Sequence, residues 1–394
     1  MPTLKHGDRI MIVCDTTDGK PADQKDRGSY VQGVDRTAMN MVATLSARGY
    51  RVKLLHPYLP QFIRFRVPLY SDVEIAINPF GIVRRMLLSF KPNAIFTMTA
   101  EAPLGLYMSH LCRTLPLEGD SPPLPFTAQF HTNYDEYASI YLNRLTGGAL
   151  NLPPEWFRPL LEYVYRDAHL VLVPTKTMEE KVHAMGLGKT RIWPRGVDTG
   201  LFRPRLPDEE NPYANLTWFR KDPKPILLYF GRVAEEKGID LFLGEAPRSR
   251  AYHRVVIGDG PFRETLERRF GNRPDVHFLG KKLGSELAMF VRFADVHVFP
   301  SVTDTFGNTV IEAGASGVPT VAFDAPGPHD TVVPGINGVL VQRGASLIAA
   351  VPEARKLSPK KCREHIVQSY SLDAAADTLL KALTRIDWTG YGPK

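Results

Sequence analysis

Two carboxylates, Asp304 and Glu312, stand eight positions apart in SVTDTFGNTVIEAGASGVPTV (301–321), with Gly307 between them. The first lies among small polar residues and the second inside an apolar stretch with helical spacing. A short acid in a loop can accept hydrogen bonds from ligand hydroxyls, or it can cap a helix. An acid a turn and a half into a helix can reach a ribose diol, or it can simply favour the helix dipole. The backbone N–H groups of Phe306, Gly307, Asn308 and Thr309, at the mouth of that helix, suit a diphosphate, and glycine permits close approach.

Two cations bear on the same question. In FGRVAEEKGID (230–240), Arg232 follows an apolar strand and Lys237 precedes a helix. Both could converge on one anion, arginine as a planar fork and lysine as a point charge; singly, each reads as a solvated surface charge. VIGDGP (256–261) adds Gly258 and Gly260 at a second strand end, a common kind of turn.

These residues need a scaffold that gathers strand ends and helix starts. Short β-branched runs alternate with helical periods along the chain, the pattern of parallel sheets covered by helices on both faces. In the first half, strands are expected at 9–15, 51–57, 94–99, 125–132 and 170–175. Between the first two, Val34, Ala38, Met41, Val42 and Leu45 form a helical stripe that Gly49 would end. The alternation restarts with strands at 225–233, 254–260, 275–280, 294–301 and 319–324. The stretch 203–224, rich in proline and acids and without period, reads as a linker. The expected fold class is therefore α/β, with two doubly wound Rossmann-like domains, 1–202 and 225–370, facing each other across a cleft. Residues 371–394 read as an amphipathic helix returning to the first domain. In such sheets ligands sit beyond the carboxyl ends of the strands, near helix N-termini.

Size agrees with two domains. The chain has 394 residues, of which 43% are hydrophobic and 23% charged, more than one ordinary core accommodates. No window of about 18 apolar residues occurs, and the N-terminus is too short and polar for a secretory signal, which points to a cytoplasmic protein. Three widely spaced cysteines, Cys14, Cys112 and Cys362, fit reduced thiols better than a disulfide framework or a zinc site. The net charge of +7 favours an anionic partner, but no nucleic-acid motif accompanies it, so nucleic acid is not expected. The first strand is followed by no Gly-x-Gly-x-x-Gly turn, which excludes the usual dinucleotide oxidoreductase.

The ordered set GRVAEEKGID, VIGDGP, ADVHVFPS and DTFGNTVIEAGASGVPTV resembles the retaining glycosyltransferases of family 4, which have the GT-B fold. GSYVQGVDRTAMNMVATLSARGYRV, FTMTAEAPLGLYMSHLCR, FTAQFHTNYDEY, LVLVPTKTM and IWPRGVDTGLFRP are similar to successive family segments, so the likeness runs over about residues 8 to 385. The family's paired acids match Asp304 and Glu312, with Asp in place of the usual first Glu.

The resemblance implies roles. Arg232 and Lys237 would hold the donor diphosphate and Glu312 the donor ribose. Asp304, with the backbone from Phe306 to Thr309, would hold the transferred sugar. The base would lie near Gly258, Gly260 and the backbone of Phe278, Leu279 and Gly280. Gly33 would close on the diphosphate and acceptor side, and His131 would line the site near the transferred sugar. Arg195 reads equally as a further phosphate or acceptor contact and as an interdomain ion-pair partner; Asp198 reads as a residue that orders the hinge.

With cations and helix-end amides to stabilise a departing nucleotide, and no Asp-x-Asp motif at the donor position, no metal and no cofactor beyond a nucleotide sugar is expected. The likeness favours GDP-mannose, with a UDP-hexose second. The acceptor is a glycan or a lipid. In NPFGIVRRMLLSFKP (78–92), Phe80, Val83, Leu87 and Phe90 lie near one face, with Arg84, Arg85 and Lys91 alongside. That pattern suits peripheral membrane contact, or an ordinary covered helix with solvated arginines. A non-catalytic nucleotide-sugar-binding protein is the competing class, since a binding site can outlive its chemistry.

Overall fold

The computed structural model describes residues 4–15, 33–67, 70–77, 80–115, 123–130, 153–245 and 251–388. They form two compact units, one running to Pro194 and resuming at Ala375, the other spanning Arg195–Ala374.

The first unit is built on β1 (Arg9–Val13), β2 (Arg51–Leu55), β3 (Ile63–Val67), β4 (Tyr70–Ile77), β5 (Ala94–Thr97), β6 (Thr127–Gln129), β7 (Leu170–Val173) and β8 (Thr190–Ile192). Six of these make one parallel sheet in the order β2-β1-β5-β6-β7-β8. The uninterrupted apolar runs of β1, β5 and β7 follow from burial on both faces. Helix Gly33–Ala47 covers the sheet with Ala38, Met41 and Leu45 buried. The last helix, Leu372–Ala382, buries Ala375, Ala376 and Leu379, and Trp193 Nε1 donates to the Ala375 carbonyl at 2.9 Å.

Three strands were not expected. β8 is a three-residue edge strand with Arg191 and Ile192 exposed, too short and too wet to show a period. β3 and β4 pair antiparallel in a separate two-stranded sheet, from a stretch whose arginines hide the apolar alternation. The helix Phe80–Phe90 spends its apolar face on the core: Val83 and Leu87 are fully buried, with Ile82, Met86, Leu88 and Phe90 packed against the same cluster. Phe80, which opens the helix, is 37% exposed. Among the described residues, no helix is long and apolar enough to cross a membrane.

The second unit repeats the plan with β9 (Ile226–Phe230), β10 (His253–Ile257), β11 (Val276–Gly280), β12 (Val296–Phe299), β13 (Thr320–Phe323) and β14 (Gly338–Val341). All are parallel, in the order β11-β10-β9-β12-β13-β14. β14 was not expected, because it opens with glycine.

The stretch 203–224 is part of this unit rather than a free linker. Tyr213 is fully buried against Phe290 with its hydroxyl on the Phe290 carbonyl at 3.0 Å, and Glu209 pairs with Arg203 and Arg292. Proline masked its short helical turns, Pro212–Asn215 and Thr217–Lys221.

Candidate functional site

The carboxyl end of the second sheet is drawn together by its glycines. Gly231 N donates to Ile257 O at 3.0 Å, Val233 N to Asp259 O at 2.8 Å and Gly258 N to Gly280 O at 2.9 Å, so the ends of β9, β10 and β11 are tied backbone to backbone. A Cβ at Gly258 would lie 1.9 Å from Gly231 O, and one at Gly260 would lie 2.4 Å from Val233 O. Both residues also have φ near +150°, where other side chains are strained. Here the glycines first serve the approach of backbone to backbone. β11 is an edge strand of the described sheet, with Phe278, Leu279 and Gly280 half-buried; an edge leaves backbone groups unpaired and able to meet a ligand.

Beside these strand ends lies a cluster of charge. Lys237 Nζ is 2.7 Å from Asp304 Oδ1 and 2.9 Å from Oδ2. Arg232 pairs with Glu236, four residues on. The buried Tyr229 hydroxyl donates to the Arg232 carbonyl at 2.7 Å and fixes the turn after β9. Burial raises the Tyr229 phenol well above its ordinary range, and Asp304 adds to the shift. Arg195, 8% exposed, has its guanidinium 5.8 Å from the Phe306 ring. Burial draws Arg195 down to about 10, while Asp304 pulls the other way, so it stays charged at neutral pH. For Asp304 burial opposes ionisation, but Lys237, with Arg232 behind it, outweighs burial and holds the carboxyl below its ordinary range. The result is an ionised acid bonded to Lys237, with Arg232 and Arg195 near enough for charge to be felt between them.

The helix Asn308–Ala315 starts at this cluster. Gly307 takes a left-handed φ of 86° at its N-cap, no side chain caps it, and Val310, Ile311 and Ala313 anchor it in the core. Its first-turn amides and dipole therefore favour an anion. Thr309 Oγ1 is buried without a hydrogen-bond partner. Glu312 is 5% exposed within the helix.

Of the residues singled out in the sequence, the structure brings together Arg195, Arg232, Lys237, Asp304, Phe306 and Gly307. Thr309 joins them at the helix start: its Cγ2 is 3.8 Å from where a Cβ on Gly231 would stand. Gly258, Gly260 and Gly280 share the same end of the sheet. Asp198 makes a local turn, its Oδ1 accepting from Gly200 N and Leu201 N at 3.0 Å. In the first unit, Gly33 opens the helix Gly33–Ala47, and His131 lies outside the described residues.

Three residues of the site escaped the sequence reading. Glu236 was visible as an acid four residues after Arg232. Gly327 backs the loop so closely that a Cβ there would lie 2.6 Å from Asp304 O; its signal was the Gly-Pro turn in DAPGPHD. Tyr229 reads only as one more apolar strand residue.

Chemically, the arrangement offers fixed positive charge and free helix-end amides beside a carboxylate that stays ionised, a setting suited to an anionic leaving group next to a hydroxylated one. Comparison with known proteins agrees. Residues 31–201 match the family described as Glycosyltransferase Family 4, and residues 224–356 match Glycosyl transferases group 1. A GDP-mannose-dependent alpha-mannosyltransferase of Mycobacterium tuberculosis is 30% identical over 329 residues, covering 80% of this chain and 81% of that protein. A sulfoquinovosyl transferase of Arabidopsis thaliana is 29% identical over 322 residues, covering 77% of this chain and 59% of that protein. Among solved structures, sucrose-phosphate synthase of Thermosynechococcus elongatus superposes with a TM-score of 0.72 at 21% identity, over 95% of this chain and 98% of the other. The protein belongs to glycosyltransferase family 4 and is a hexosyltransferase with the GT-B fold.

Proposed function

We propose that the chain moves mannose from GDP-mannose to a hydroxyl of a glycan or lipid acceptor, with retention at the anomeric carbon and without a metal ion. The observation that carries this reading is the Lys237–Asp304 pair, under the charge of Arg232 and Arg195, at an uncapped helix start. Cleavage of a sugar–diphosphate bond builds negative charge on the departing nucleotide and positive charge on the anomeric carbon. Lys237, Arg232 and the amides of Asn308 and Thr309 answer the first. Asp304 answers the second and accepts from sugar hydroxyls; Glu312 holds the ribose. Lys237 is paired with Asp304 in this structure, so the donor's phosphate shares the ammonium with the carboxylate that holds its sugar. The base rests along the edge of β11.

Support for mannose comes from the likeness to GDP-mannose-dependent relatives. The likeness to a sulfoquinovosyl transferase favours a second reading, in which a UDP-hexose is the donor of a glycolipid synthase. The test is turnover of GDP-mannose against UDP-glucose by the purified protein in chelator, with a panel of glycan and lipid acceptors. Release of GDP coupled to mannosyl product supports the reading. Turnover of UDP-glucose alone moves the assignment to the second, and strict dependence on added divalent metal contradicts the metal-free mechanism.

A further inference from the structure

TAEAPLG (99–105) runs from the end of β5 into the helix Pro103–Thr114, and its acid belongs to no cluster described above. Glu101 is 9% exposed, and its Oε1 is hydrogen bonded to the fully buried phenolic oxygen of Tyr165, on the helix Arg158–Tyr165. The same phenol lies 3.1 Å from the carbonyl oxygen of Gln129, the last residue of β6. Glu101 Oε2 is buried without a partner.

A phenol has one proton to give. With Glu101 ionised, carboxylate and carbonyl would compete for it, and half of the carboxylate charge would sit on a bare, dry oxygen. A buried charge left unpaired costs far more than a neutral hydrogen bond returns. With Glu101 protonated the contacts close in sequence: Glu101 Oε1 donates to the phenolic oxygen, the phenol donates to the Gln129 carbonyl, and Oε2 remains a weak neutral acceptor.

We infer that Glu101 is held as a neutral carboxylic acid and, through Tyr165, positions the carboxyl end of β6. Burial supports this by pushing the carboxyl up to about 8, against the lowering effects of the Tyr165 bond and of the backbone N–H of Glu101 itself. Among the described residues, the other titratable or charged groups on the elements packed at this end of the sheet are Cys14 and Asp15 after β1, Tyr107, His110, Cys112 and Arg113 on the helix Pro103–Thr114, and Arg158, Glu162, Tyr163 and Tyr165 on the helix Arg158–Tyr165. None of them adds a charge effect on Glu101. Asp15 is a useful contrast: both its oxygens accept backbone N–H groups, from Ala76 and Leu104, and burial raises it only to about 7.

Ligands of such sheets bind beyond the carboxyl ends of the strands, and His131 follows Gln129 by two residues in the sequence. Glu101 is therefore a positioning residue for transfer. The infrared test below is independent of the proposed donor, whereas the activity test rests on that reading.

In an infrared pH titration of the full chain, a protonated-carboxyl band present at pH 6 fades with a midpoint near pH 8. It is missing in Glu101→Gln and displaced in Tyr165→Phe, while Asp15→Asn removes a separate component of lower midpoint. Transfer by the wild type falls at least fivefold between pH 7 and 9, and Glu101→Gln, whose amide still donates to the phenol but cannot ionise, stays flat. Identical carboxyl bands in wild type and Glu101→Gln at pH 6 overturn the neutral acid. An unchanged alkaline limb in Glu101→Gln overturns the positioning role. Absence of transfer from any nucleotide sugar leaves the infrared result to decide for or against the neutral acid, and that absence counts against the proposed function alone.

Discussion

Lys237 Nζ bonds both carboxylate oxygens of Asp304, at 2.7 and 2.9 Å, across 67 residues of sequence. The family resemblance implies separate duties for these side chains, one on phosphate and one on sugar; the fold makes them one unit. Lys237→Ala removes the counter-charge of a carboxylate that burial already penalises. Transfer should fall by about 100- to 1000-fold, the usual effect of removing one preorganised donor. Asp304→Ala should also lose transfer, and the double variant should be no worse than the poorer single one, because the residues act together. Steady-state kcat/KM of the four proteins checks this; simple additivity would count against the coupled site.

Gly258 should not tolerate a methyl group. Gly258→Ala places a Cβ 1.9 Å from Gly231 O at a φ of 149° and should cost about 3 kcal/mol or more. Gly344→Ala, with φ of 89° and nothing within 4 Å, should cost about 1 kcal/mol. Urea unfolding of the two variants measures the difference, and equal costs would remove the close-approach argument.

What the sequence disclosed and what it hid follow from burial. β1, β5, β7, β9, β12 and β13 announced themselves because strands covered on both faces must be apolar throughout. β8 did not, since it is three residues long with Arg191 and Ile192 exposed, and the β3–β4 pair did not, since Arg64, Arg66, Asp72 and Glu74 interrupt its apolar residues in the sequence. Arg232, Lys237, Asp304 and Gly307 were legible as charges and a glycine at strand ends. Their pairing was not, because Glu236 and Asp304 each look like an ordinary solvated acid until the loop after β9 packs on the end of β12, where a Cβ on Gly238 would lie 2.8 Å from Pro300 O.

The unpartnered hydroxyl of Thr309 separates binding from stability. Thr309→Val keeps the shape and deletes a buried polar atom with no partner, so stability should hold or rise by about 1 kcal/mol. Donor affinity should fall about tenfold through loss of a hydrogen bond to a charged group. Thermal unfolding and nucleotide titration read the two effects; loss of stability with full affinity would give Thr309 a structural role.

Acid should weaken the second unit through the buried His297 and the half-buried His277. Burial lowers His297 to about 3, and burial with the neighbouring His253 lowers His277 to about 4; the His277 ring stacks on Trp218 at 3.7 Å. Both pKa values lie below the unfolded value near 6.5. The unfolded chain therefore binds protons that the folded chain refuses, and stability falls as pH drops from about 6.5 towards 4. The urea midpoint should decline across that window and less steeply in His277→Gln. A flat profile would contradict the shifts.

The most direct test of the donor site is calorimetric titration with GDP and with UDP, without added metal, of the wild type and of Lys237→Ala. The account predicts tight binding of GDP, weaker binding of UDP, and at least a tenfold loss of GDP affinity in the variant. GDP binding of equal strength in both proteins would contradict it.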